Sequence, residues 1–84
     1  MTHKQAQRVH SINRARQRYG LKLKKYDIDN IIILIQNRKA ISVKKLTNSR
    51  TLHIVQYADR ELKVIYDKNL HNICTFMPID WNRA

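Results

Sequence analysis

TLHIVQYADRELKVIYD, residues 51–67, decides the reading of the fold. Within it Leu52 and Ile54, then Leu62, Val64 and Tyr66, return at every second position. That is the repeat of a strand with one face buried and one face wet. The polar DRE between the two runs has the length and chemistry of a hairpin connection. Toward the C-terminus, KNLH gives way to a further strand over residues 72–77, which Pro78 ends because proline cannot donate to a ladder. Toward the N-terminus, TNSR separates the pair from a strand over residues 40–46. Four short strands, at 40–46, 51–58, 62–67 and 72–77, are therefore expected to pair in chain order as an antiparallel meander. The closing IDWNRA reads as a tail whose Trp81 is expected to fold back on the core.

Upstream of Lys39 the period lengthens. Residues 2–19 contain no Gly or Pro, are rich in Ala, Gln and Arg, and precede Gly20, which stands where a helix C-cap belongs. Ala6, Val9, Ile12 and Tyr19 mark the expected buried face, with His3, Lys4, Gln7, Arg8, His10, Arg14 and Arg18 on the polar arc opposite. Arg16 falls on the apolar side, where its stem can pack while its head reaches solvent. A second helix is expected over residues 28–38, with Asp27 as N-cap and Ile28, Ile31, Ile32 and Ile35 on one face. The run IIILI alone would suit a buried strand equally, and the flanking YDIDN and QNRK decide for helix. The expected fold is α+β, one domain in which two N-terminal helices pack on a four-stranded antiparallel meander.

Charge divides the chain more sharply than period does. Residues 1–50 carry thirteen Lys or Arg against Asp27 and Asp29, a net of +11, while residues 51–84 carry four charges of each sign. Such an excess repels itself in a compact state and is useful for holding a polyanion, so nucleic acid is the first partner to consider. One cysteine, Cys74, excludes an internal disulfide and a Cys-based zinc site, and suits a reducing compartment. The basic, polar MTHKQAQRVH reads as no secretory signal, and the apolar run at 31–35 is too short to span a bilayer. A soluble cytoplasmic protein without membrane partners is expected. No Gly-rich phosphate loop, no His-Glu-x-x-His and no carboxylate cluster is present, so neither metal nor cofactor is called for.

His10 leads the residues able to carry chemistry. It lies one turn before Arg14 on one helical face and about two turns after His3. An imidazole beside guanidinium groups can move a proton while the arginines hold a phosphate; the alternative is a solvated histidine on a basic helix. Arg50 stands at the start of the second strand, and Lys44 and Lys45 place one cation on each face of the first. Tyr66, Asp67 and Lys68 crowd a strand end and Thr75 sits mid-strand, although YDKN equally reads as ordinary hairpin chemistry. His53 shares a face with Val55 and Tyr57 and is assigned no role. Cys74 reads as a small core residue.

The order HSINRARQRYG, DIDNII, SR…VQY, VIYDKN and ICTFMP resembles small phage and prophage proteins of the form HAxxRxxxRYG … VVYDKxRxxIVTFLP. These in turn are similar to the RelE-like ribonuclease toxins, BrnT-like toxins among them. The resemblance runs from about His10 to Pro78. It implies a metal-independent ribonuclease in a bacterial host cell, with RNA as partner. It matches His10, Arg14, Arg50, Tyr66, Lys68 and Thr75 to a catalytic set. His10 would be general base or acid for attack of a 2′-hydroxyl on its phosphate, with Arg14 and Arg50 stabilising the developing charge. The chain departs from the pattern at Ser11, where Ala is usual, and at Leu70, where a basic residue is common.

A second expectation fits the charge equally well. A basic phage-type protein can bind nucleic acid, or block a host or anti-phage defence nucleic-acid enzyme, without catalysis; besides RNA, a host, antitoxin or defence protein is the expected partner. On that reading Lys4, Arg8, Arg14, Arg18, Lys22, Lys25, Lys44 and Lys45 contact phosphates or an acidic surface, and His10 is incidental.

Overall fold

A computed structural model of the chain describes residues 2–78 and 80. Two helices, α1 (His3–Tyr19) and α2 (Lys25–Gln36), precede four strands: β1 (Ile41–Lys45), β2 (Arg50–Tyr57), β3 (Arg60–Asp67) and β4 (Asn72–Phe76). The strands form one antiparallel sheet in the order β1-β2-β3-β4. The fold is α+β, as the change of period implies. The expected packing of Trp81 lies outside the described residues.

Local chemistry sets the element ends. Thr2 caps α1 in a reciprocal box with Gln5: Gln5 N–H donates to Thr2 Oγ1 at 3.2 Å and Thr2 N–H to Gln5 Oε1 at 2.9 Å. Gly20, at φ 67°, closes the helix in the left-handed conformation that glycine adopts without penalty. α2 begins three residues before the expected start. Asp27 is its third residue rather than its N-cap, accepting from the Lys24 N–H at 2.8 Å. It also ends two residues early, because Arg38 turns left-handed at φ 58°. The β2–β3 connection is shorter than DRE suggested: Ala58 and Asp59, at φ 53° and 61°, make a two-residue turn whose twist matches the flanking strands.

The core lies between α2, α1 and one face of the sheet. Ile28, Ile31, Ile32 and Ile35 of α2 meet Val55, Leu62, Val64, Tyr66, Ile73 and Phe76. Each such apolar side chain contributes roughly 1.5–3 kcal/mol on burial. The face of α1 differs from the expected one by about one residue's rotation, roughly 100°. Ser11, Ala15 and Tyr19 are buried, whereas Val9 is 48% exposed and Ala6 and Arg16 lie in solvent.

The reason is what α1 packs on. It lies along β4, the last strand of the sheet, and supplies donors to that strand's carbonyls. The Ser11 hydroxyl is 2.6 Å from the Gln7 carbonyl and 3.1 Å from that of Ile73, one proton shared between two acceptors. Arg18 Nη1 donates to Phe76 O at 2.6 Å, and Tyr19 OH to Met77 O at 2.7 Å. A helix seated on strand backbone needs small residues and hydrogen-bond donors more than apolar bulk, and it covers an edge that would otherwise invite pairing.

Candidate functional site

Three features of the sequence build the site. The first is the β2–β3 register, in which Arg50 stands opposite Asp67 and Thr51 opposite Tyr66. Because successive side chains point to opposite faces, Arg50 and Asp67 share one side and Thr51 and Tyr66 the other. The second is a β-bulge in β4. Ile65 pairs with Thr75 and Tyr66 with Ile73, leaving Cys74 as the extra residue. Ile73 and Phe76 both face the core although they are three residues apart, which strict alternation forbids; the bulge takes up the odd residue and brings both Cys74, expected in the core, and Thr75 to the Arg50 side, half-exposed. The third is α1, whose His3, Ala6, Gln7 and His10 wall the same space.

The result is an open cleft of about 380 Å³. It collects the His3 and His10 imidazoles, the Arg50 guanidinium and the Thr75 hydroxyl, with Leu70 as an apolar wall. Asp67 fixes the walls to one another. Its Oδ2 accepts from Gln7 Nε2 at 3.0 Å, and its Oδ1 from the N–H groups of Asn69 at 2.9 Å and Leu70 at 3.2 Å. Gln7 in turn accepts from Asn72 Nδ2 at 3.3 Å, and Asn72 also donates to Lys4 O at 3.0 Å. Burial alone raises the Asp67 pKa. The bonds from Gln7, Leu70 and Asn69, with the charge of Arg50, outweigh it and hold the carboxyl below its ordinary value. Burial pushes the Cys74 thiol up despite Arg50, which keeps it protonated and a poor nucleophile.

Of the six catalytic candidates, His10, Arg50 and Thr75 meet in this cleft. Arg14 stands one turn beyond His10, half-buried, with Nη1 donating to Gln17 Oε1 at 2.9 Å. Tyr66 does not belong to the cleft. Its side chain follows Asp67 onto the opposite face, where its hydroxyl accepts from Gln36 Nε2 at 3.1 Å and lies 3.4 Å from His71 Nδ1. Its ring meets His53 edge-on, with centroids 6.2 Å apart. Lys68 is exposed on that side too, its charge adding to the burial that lowers the His53 pKa.

Among the charged residues expected on a polyanion, Lys4, Lys22, Lys25, Lys44 and Lys45 are exposed. Arg8 and Arg18 are committed inside the fold: Arg8 Nη2 pairs with Asp29 Oδ1 at 3.1 Å, and Arg18 holds Phe76. His3 is the residue passed over, although its seven-residue spacing from His10 puts both on one flank of α1. Among the described residues no group of three or more His, Cys, Asp or Glu comes together as a metal site, and no helix is long and apolar enough to cross a membrane. Comparison with protein-family models, with curated proteins and with solved structures finds no match to the chain.

Proposed function

We propose that this protein binds RNA through its basic N-terminal half and cleaves it in the cleft between α1 and the end of the sheet, without a metal ion. One observation carries the reading: two imidazoles from one helix flank share an open space with a guanidinium and a hydroxyl. Cleavage by an internal 2′-hydroxyl needs one group to take the hydroxyl proton and another to protonate the departing 5′-oxygen. Histidine is suited to both near neutral pH. Arg50 would neutralise the charge that grows on the phosphate, and Thr75 would donate a hydrogen bond to a non-bridging oxygen. The resemblance to RelE-like ribonuclease toxins points the same way.

A second reading has its own support. The carboxylate of Asp67 stands in the cleft wall and opposes a phosphate, and the exposed lysines extend well beyond the cleft. Both suit a non-catalytic protein that binds nucleic acid or occupies the anion-binding surface of a host or defence enzyme.

Incubation with total cellular RNA in EDTA separates the two. Discrete cuts ending in 2′,3′-cyclic phosphate, abolished by His10→Ala and Arg50→Ala, establish the ribonuclease. Intact RNA, with salt-sensitive binding that survives His10→Ala, establishes the binding protein and removes the enzyme.

A further inference from the structure

We infer that the cleft opens into a second chamber that holds the nucleoside on the 3′ side of the scissile phosphate, with His3 as the acid that protonates its 5′-oxygen. The inference rests on the ribonuclease reading above. The second chamber, of about 440 Å³, shares His3, Arg50, Asp67 and Leu70 with the first, so the two are one continuous groove. Its other walls are Thr47 and Ser49 of the β1–β2 turn and Asn69 of the β3–β4 turn. That volume falls within the range of small-ligand clefts, about 300–1,000 Å³.

The two turns are held rigidly against each other. The Lys68 N–H donates to Ser49 O at 2.7 Å, tying turn to turn. Thr47 Oγ1 accepts from the N–H groups of Ser49 at 3.3 Å and Arg50 at 3.1 Å, which leaves its own proton to donate. Asp67 Oδ1 holds the backbone of Asn69, so the exposed Asn69 side chain projects from a fixed base. Two hydroxyls and a carboxamide on a preformed rim offer donors and acceptors of the kind that read a base edge or a ribose hydroxyl.

Position then orders the reacting groups along the groove. Arg50 borders both chambers, which places the phosphate at their junction. His10 borders the first chamber and not the second, whereas His3 borders both. With the 3′-side nucleoside in the second chamber, the nucleoside on the 5′ side, which carries the attacking 2′-hydroxyl, lies at His10. The neutral imidazole of His10 takes the 2′-hydroxyl proton as the O2′–P bond forms. The P–O5′ bond breaks, and the imidazolium of His3 gives its proton to O5′. The products are a 2′,3′-cyclic phosphate and a free 5′-hydroxyl.

Two substrates cleaved in EDTA test this: uridylyl-(3′,5′)-adenosine, and uridine 3′-(4-nitrophenyl) phosphate. The second presents the same 2′-hydroxyl and phosphate but carries neither a 3′-side nucleoside nor a leaving group that needs a proton. Asn69→Ala and Ser49→Ala should slow the dinucleotide about threefold to tenfold, the effect of one lost hydrogen bond, and leave the aryl ester unchanged. His3→Ala should slow the dinucleotide about 100-fold or more and leave the aryl ester within about threefold. His10→Ala should slow both. Equal slowing of the two substrates by the Asn69, Ser49 and His3 variants, or no slowing of either, overturns the chamber while leaving the ribonuclease standing. A wild type inert on both substrates overturns the ribonuclease reading and the chamber with it. Far-UV circular dichroism on each variant separates these effects from unfolding.

Discussion

Two clusters of histidine and hydroxyl groups lie on opposite sides of one end of the sheet, and they differ in how far their polar atoms are used up. On one side His53 Nε2 and Thr51 Oγ1 are 2.7 Å apart, and Tyr66 OH meets Gln36 and His71. That cluster is closed: its groups serve one another, and Tyr66 is buried. On the other side His3, His10, Arg50 and Thr75 face an open cleft. There the internal bonds are concentrated on Asp67 and Gln7, which hold the walls. Residue type alone does not distinguish the two sides. A tyrosine, a lysine and two histidines stand on the closed side, where sequence motifs had placed part of the chemistry. What separates them is one step of strand alternation and one bulge.

The two sides differ most at their histidines. His10→Ala is expected to lower RNA cleavage by about 100- to 10,000-fold with little change in thermal midpoint, whereas His53→Gln leaves the cleavage rate within about twofold. Equal losses from both would mean that the two sides do not divide chemistry from structure. Rates on a labelled oligoribonucleotide, measured beside melting curves, decide it.

Asp67 sharpens the contrast, because it lines the cleft yet serves the fold. Asp67→Ala is expected to cost about 1–3 kcal/mol by leaving the Gln7 amide and two turn N–H groups without an acceptor. Its folded pKa is depressed, so its stabilisation is complete above about pH 4, the unfolded value. It is lost as pH falls through the folded value. Urea midpoints of wild type and variant should therefore differ at pH 6 and converge at the acid end.

The smallest effects belong to the closed side. Tyr66→Phe should cost about 0.5–1.5 kcal/mol and leave cleavage unchanged, which a paired urea and activity assay would show. Burial, then the charge of Lys68, lowers the His53 pKa. The unfolded chain thus takes up a proton, below about pH 6.5, that the folded protein resists. Stability should fall as pH drops through that range, and His53→Gln should remove that part of the slope.

Much of the fold was legible because it follows from local rules. Alternation in residues 62–66 reveals β3 with its buried face, and the cap at Gly20 and the isoleucines of α2 reveal the helices. In β2 alternation reveals the strand but not its core face: the register sets Leu52 and Ile54 on the side opposite Leu62, Val64 and Tyr66, Val55 meets the helices instead, and both faces are buried. The side on which α1 packs was not legible. Val9 outweighs Ser11 in any hydrophobic count, yet Val9 is exposed and the helix is seated on the carbonyls of β4 by small residues and donors, with Ile12 half-buried against the core as expected. The candidate site was legible in part for a similar reason. His10, Arg50 and Thr75 could be named from their motifs, but Tyr66 and Asp67 are adjacent, and only the pairing of Arg50 with Asp67 shows which one faces the cleft. The bulge that turns Cys74 outward leaves no mark in the pattern NICTF.

By itself the sequence determined the element types, their order and the basic character of the N-terminal half. These follow from propensity, periodicity and charge count, which act over a few residues or none. Only the tertiary structure decided which histidines share a space, which arginines are spent holding the fold, and which face of each strand lines the cleft. Those depend on register and on a helix meeting a strand some sixty residues away in the chain. Contacts at that separation are selected by packing and hydrogen-bond satisfaction across the whole domain, and no local window contains them.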